Sequence, residues 1–179
     1  MTSSMLVAGV GNIFRGDDGF GSAVAAWLAE HAAPQWPAWL VLKDFGIRGV
    51  HLAYELLDGY DDLVLIDTMH RDGAPGTLYV VEPDLTAIAR AGGTMLDAHD
   101  MAPESVLALV PALGGALGRV TVVGCEPASL SDGIGLSDVI AARVPEAGQV
   151  VVGLVAKAVG GPDEGFSSAS VRRTAVGSA

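Results

Sequence analysis

Met5 to Leu28 reads MLVAGVGNIFRGDDGFGSAVAAWL, and this stretch decides the fold. Its apolar opening, Met5–Ala8, suits a strand buried on both faces of a parallel sheet. A turn follows with Gly9, Gly11 and Gly16, and two adjacent carboxylates, Asp17 and Asp18, lead into an alanine-rich helix. In an open parallel sheet ligands bind at the carboxyl ends of strands, so chemistry is expected at this turn. Acids at a helix N-terminus suit a cation or acid/base work. The helix dipole already favours negative groups, and two carboxylates repel a phosphate. Asp18 is read as a metal ligand or general base, against the plainer role of stabilising the first helical turn. Asp17 is the weaker candidate, being placed to cap the helix itself.

Further strands are read at Trp39–Leu42, Leu63–Ile66, Thr77–Val81 and Val120–Val123, giving five with the first. Helices are expected over about Gly19–Ala32, Val50–Leu57 (with Gly59 as C-cap), Leu85–Ala91, Ala102–Leu113 and from Ser137 to about Val159. Pro145 is expected to kink or split the last of these. Strands alternating with helices predict a three-layer α/β sandwich, a twisted, mostly parallel five-stranded sheet between helices. The Asp72–Gly76 turn is too short for a crossover, so Thr77–Val81 is expected to run antiparallel to Leu63–Ile66. One domain is expected over residues 1–159, followed by a flexible Gly/Ser-rich tail over 160–179.

The bulk numbers narrow the partners. A chain of 179 residues with 50% hydrophobic and 17% charged residues can bury a sizeable core. Its net charge of −11 disfavours nucleic acid and anionic membranes, which need basic patches. No uninterrupted apolar run of about 18 residues is seen, and Met1–Ser4 lacks the basic start of a signal peptide. The lone Cys125 allows no internal disulfide and reads as a small core residue. A cytoplasmic protein, and a monomer, is the expectation.

Asp67 ends the fully apolar strand Leu63–Ile66, where an acid is costly unless paired or coordinated. His99 lies in a loop feeding the helix at Ala102, free to point into a cleft. His70 is a rival ligand, whereas His31 and His51 read as surface or satisfied residues. Strands one and three of such a sheet commonly lie side by side, bringing Asp18 and Asp67 to one edge. Two close carboxylates raise one another's pKa, and a cation relieves the repulsion. Adding an imidazole gives an O,O,N set suited to zinc, nickel or manganese, with the open positions of a catalytic centre. Other chemistries fail: Phe14 stands where a dinucleotide fingerprint needs its third glycine, and no phosphate loop, His-Glu-x-x-His pair or Gly-x-Ser-x-Gly elbow occurs.

The motifs GVGNIFRGDDGFG at Gly9–Gly21, LVLIDTMHRDGAPGTLYV at Leu63–Val80, His99 before a helix, and VVGCEPASLSDGIGLSD at Val122–Asp138 resemble the nickel–iron hydrogenase maturation endopeptidases. That resemblance implies a phosphorylase/hydrolase-like α/β fold and an endopeptidase that removes a C-terminal extension from the hydrogenase large-subunit precursor. It implies a metal-binding trio of Asp18, Asp67 and His99, with nickel supplied by the precursor as the recognition signal. Another divalent ion such as zinc or cadmium is compatible with the same trio. The segment Asp44-Phe45-Gly46-Ile47-Arg48-Gly49 departs from the family's Gly-Gly-Thr type, and Phe45 and Arg48 are expected to adapt the enzyme to its own precursor. The alternatives are a non-catalytic nickel-sensing assembly chaperone of that precursor and, more distantly, a nucleotide-binding α/β module.

Overall fold

The computed structural model describes residues 4–91, 103–158 and 171–175. Its strands are β1 (Met5–Val10), β2 (Leu40–Gly46), β3 (Asp62–Thr68), β4 (Leu78–Glu82), β5 (Arg119–Cys125) and β6 (Val171–Ala175). Its α-helices are α1 (Phe20–His31), α2 (Gly49–Leu56), α3 (Leu85–Ala91), α4 (Pro103–Ala112), α5 (Asp138–Ala141) and α6 (Val144–Ala158). The sheet order is β2-β1-β3-β5-β4-β6. All pairs are parallel except β4 with β5.

The apolar strands work because both faces of the sheet are covered. Successive side chains of a strand point to opposite faces, so Met5 and Val7 join one core while Leu6 and Ala8 join the other. On the first face lie Phe20, Val24 and Leu28 of α1 with Val151 and Val155 of α6. On the second lie Leu52 and Leu56 of α2 with Val106, Leu107 and Val110 of α4. This is the three-layer sandwich expected from the pattern.

Two details depart from the sequence reading, and a third bears it out. The sheet has a sixth strand, β6, within the stretch read as a tail. It pairs in parallel with the outer edge of β4, whose backbone groups would otherwise lack partners there. Second, β4 does run against β3, but it does not lie beside it. β5 sits between them, parallel to β3 and antiparallel to β4. Third, the last helix is split at Ala142-Arg143, just before Pro145, as the missing proline N–H favours. By length and composition Asp138–Ala158 could cross a membrane. The split and the burial of Ile140, Ala147 and Val151 make it a core element here.

Helix α1 is seated unusually low on the sheet. A Cβ at Gly21 would stand 2.1 Å from the Val10 carbonyl oxygen and 2.3 Å from that of Ile66. Gly9 faces the same contact from the strand, since its Cβ would meet the Gly21 carbonyl at 2.5 Å. The first turn of α1 therefore rests on the backbone where β1 and β3 end, and the acid pair just before it is fixed above that point. On helix propensity alone, alanine at Gly21 should stabilise by about 1 kcal/mol. The steric conflict with backbone outweighs this, so Gly21→Ala is expected to destabilise the fold by about 3 kcal/mol, read as a lower urea midpoint.

Candidate active site

The strands β1 and β3 pair in register, and their carboxyl ends open into a cavity of about 590 Å³. Loop residues Gly11, Asn12 and Arg15, both acids Asp18 and Asp67, and Pro103 and Glu104 of α4 line it. Asp18 lies in a single 3-10 turn, Gly16–Gly19, that precedes α1. Its Oδ2 accepts the Asn12 N–H at 3.0 Å, and its Oδ1 lies 3.2 Å from the Thr68 hydroxyl. The Asp67 Oδ1 accepts the Thr68 N–H at 2.7 Å and lies 3.5 Å from the same hydroxyl. Two carboxylates from opposite ends of the first half of the chain thus converge on one hydroxyl oxygen. The loop allows this because Gly11 adopts a φ of 135°, and a Cβ there would lie 1.9 Å from the Asp18 carbonyl oxygen.

Electrostatics separates these acids from their neighbours. Asp67 is only 7% exposed. Burial, with the nearby charges of Asp18 and Glu104, pushes its carboxyl well above the usual carboxylate range, although the Thr68 N–H pulls the other way. A buried acid beside a second acid is an arrangement that a cation would relieve, so the donors present fit a divalent ion. His99, the third residue of the expected trio, lies outside the described residues. Among the described residues no group of three His, Cys, Asp or Glu side chains is close enough to hold a metal.

Asp17 has a different job from the helix cap expected of it. It is fully buried and reaches across to the loop after β5. Its Oδ2 accepts the N–H groups of Ala128 and Ser129, both at 2.9 Å, and the Ser137 hydroxyl at 3.0 Å. Its Oδ1 accepts the Ser137 N–H at 2.7 Å. Burial alone would raise its pKa, but these bonds outweigh it and hold the carboxyl below its ordinary value. Ser137 still begins α5, although its hydroxyl serves Asp17 instead of the helix. Three backbone bonds join the same two loops: Gly16 N–H to Gly133 O, Gly133 N–H to Phe14 O, and Asp17 N–H to Ser129 O.

Glu126, which the sequence reading passed over, is a second structural acid at this rim. It is 1% exposed and accepts bonds from the Tyr79 hydroxyl at 2.7 Å, the Arg71 N–H at 2.8 Å and His70 Nδ1. Despite burial, those bonds hold its carboxyl below the usual range, and in return Glu126 raises the pKa of His70. His70, the rival ligand, is thereby engaged through Nδ1, although it lines the cavity. The available signal was an acid between an apolar strand and Pro127. Cys125 is fully buried, and burial pushes its thiol up to about 12, in keeping with a core residue. The pair expected to tune substrate choice divides, Phe45 being buried and Arg48 exposed. Phe45 packs in the core beside α2, and Arg48 donates to the backbone carbonyls of Phe45 (3.2 Å) and Asp44 (3.3 Å).

The family profile described as HycI, hydrogenase maturation protease, matches residues 24–154. The chain belongs to the hydrogenase maturation protease family. A relative, the hydrogenase expression/formation protein HupD of Rhizobium leguminosarum bv. viciae, is 32% identical over 128 residues, 72% of this chain and 61% of its own length. The chain thus spans about three-fifths of that curated relative. A hydrogenase 2 maturation peptidase from a Thaumarchaeota archaeon is 31% identical with a TM-score of 0.61, covering 88% of this chain and 99% of that one. The Escherichia coli hydrogenase maturating endopeptidase HybD, at 24% identity, shares the fold with a TM-score of 0.72 over 86% of this chain and 93% of its own. In this member of the maturation-protease family the profile match spans β2 to β5 and includes Asp67, while β1 and Asp18 precede it.

Two outcomes follow from the contrasting acids. Asp17→Asn should lower stability at pH 7 by about 2 kcal/mol, through lost charge-assisted hydrogen bonds. The folded pKa of Asp17 is depressed, so its contribution is present above the unfolded value of 3.8 and fades as pH falls through the folded one. The gap between variant and parent in urea titrations should therefore close below about pH 4. Asp67 has the opposite sign: its raised folded pKa costs stability once pH exceeds 3.8. In chelator-treated protein at pH 7, Asp67→Asn should raise the melting temperature by about 3 °C or more.

Proposed function

We propose that this protein is an endopeptidase that removes a C-terminal extension from the nickel-loaded precursor of a nickel–iron hydrogenase large subunit. The observation that carries the reading is the meeting of Asp18 and Asp67 at the Thr68 hydroxyl, on the cavity floor of a maturation-protease fold. Membership of the hydrogenase maturation protease family and similarity to the hydrogenase 2 maturation protease of Escherichia coli support it.

Asp18, Asp67 and His99 are the residues proposed to hold the metal. His99 stands four residues before α4, whose Pro103 and Glu104 line the same cavity. Nickel enters as part of the substrate, and zinc or cadmium could occupy the same donors in its absence. A divalent ion held there supplies a Lewis acid that polarises a scissile carbonyl or acidifies a water. The chain's own groups do the positioning. The Asn12 amide and Thr68 hydroxyl orient the Asp18 carboxylate, and the Thr68 amide fixes Asp67. The raised pKa of Asp67 also lets it hold a proton at a higher pH than an ordinary carboxylate when no cation is bound.

The test is incubation of purified protein with nickel-loaded and nickel-free precursor, followed by mass spectrometry. Loss of a C-terminal peptide from the loaded form alone is the expected result. Asp18→Asn and His99→Ala should each cut processing at least about 100-fold with melting curves intact. Tight binding of the precursor without a cut would replace this reading with that of an assembly chaperone.

A further inference from the structure

Large apolar side chains are exposed on the two loops that Asp17 joins. Ile13 is 48% exposed, Phe14 60%, Leu130 37% and Ile134 82%. Single exposed apolar residues are ordinary, but a contiguous patch marks a binding surface. Here contiguity follows from the backbone. Gly133 hydrogen-bonds to Phe14 and Gly16 and forms a bridge with Arg15, setting Ile134 beside Phe14 and Arg15. Leu130 follows Ser129, which is bonded to Asp17. The loops are thus pinned with their apolar side chains facing water instead of folding them inward. A surface so presented is pre-organised for a partner, which lowers the ordering cost of binding.

Charge and position identify the partner. Arg15 and Leu130 line the cavity that holds Asp18 and Asp67, so patch and cavity are one surface. Although Asp18, Asp67 and Glu104 share that cavity, the Arg15 guanidinium forms no ion pair with any described residue. A second copy of this chain fits poorly, because a two-fold contact would bring Arg15 toward its own counterpart between molecules of net charge −11. We infer that loops 12–16 and 129–135 form a docking lip for the large-subunit precursor, taking an apolar stretch of it with an acidic residue against Arg15. A chain held there reaches the two carboxylates without leaving the protein surface. This inference rests on the proposed function and names where its substrate is gripped.

The experiment pairs precursor affinity, by biolayer interferometry, with cleavage kinetics for Phe14→Asp, Ile134→Asp and Arg15→Glu. Tyr54→Asp, equally exposed on α2 but off the lip, is the control for added charge. Each lip variant should raise both Kd and KM at least tenfold, with the loss in KM instead of kcat and Tyr54→Asp near the parent. The Arg15→Glu penalty should shrink in high salt, as an exposed ion pair requires. Unchanged Kd and KM, or a loss confined to kcat, overturns the lip. So does a parent dimer that Phe14→Asp dissociates, since the patch would then serve a second copy. If the parent binds precursor but never cuts it, the peptidase reading falls, and the Kd comparison still decides the lip.

Discussion

The seat of α1 on the ends of β1 and β3 is the constraint on which the site depends. Two glycines, Gly9 and Gly21, let a helix and a strand approach until only backbone separates them. A helix held further out would lift the 3-10 turn, and Asp18 with it, away from Thr68 and Asp67. Interiors are close-packed and transmit such shifts. The geometry of the acids is therefore set by residues that bear no chemistry. The glycine turn that looks like a ligand cradle acts first as a spacer.

Adjacent carboxylates here do opposite things. Asp17 is buried, and four hydrogen bonds keep it ionised and immobile. Asp18, the next residue, is turned toward the cavity with fewer partners. Asp67 is buried beside it with its charge disfavoured. A rigid anion thus holds the loops while a more reactive pair faces the cavity. Glu126 repeats the first role on the opposite flank, gathering Tyr79, Arg71 and His70 around one carboxylate. Position along a helix or strand does not separate these roles. The count of donors around each acid does.

Most of the architecture was legible because the strands are short apolar runs bounded by turns, and those signals are local. Asp67 stood out for a similar reason, as a charge ending the run Leu63–Ile66. What could not be read was pairing across long separations. The placement of β5 between β3 and β4 leaves no mark in either neighbour, and β6 was hidden by its glycine- and serine-rich surroundings. Asp17 was mistaken for a cap because its partners lie more than a hundred residues away. Phe45 looked like a cleft residue because its loop was aligned with a motif, whereas its burial depends on α2. The pairing of Asp18 with Asp67 was inferable through the rule that strands one and three commonly lie together and through the family resemblance, not from the local sequence around either acid.

The order of strands also sets a schedule. During synthesis β2, β1 and β3 can pair as soon as residue 68 has emerged, since their partners all lie upstream of it. The Asp17 carboxylate, by contrast, must wait for residues 128–137. Until then the loop over residues 12–16 lacks its ties to residues 129–133, and β4 lacks the β5 neighbour it flanks. Long-range closure of this kind is slow compared with local folding. A ribosome-bound chain can therefore hold half a sheet with Asp18 and Asp67 already within reach of Thr68, and the Asp17 tether closes only once residues 128–137 have folded.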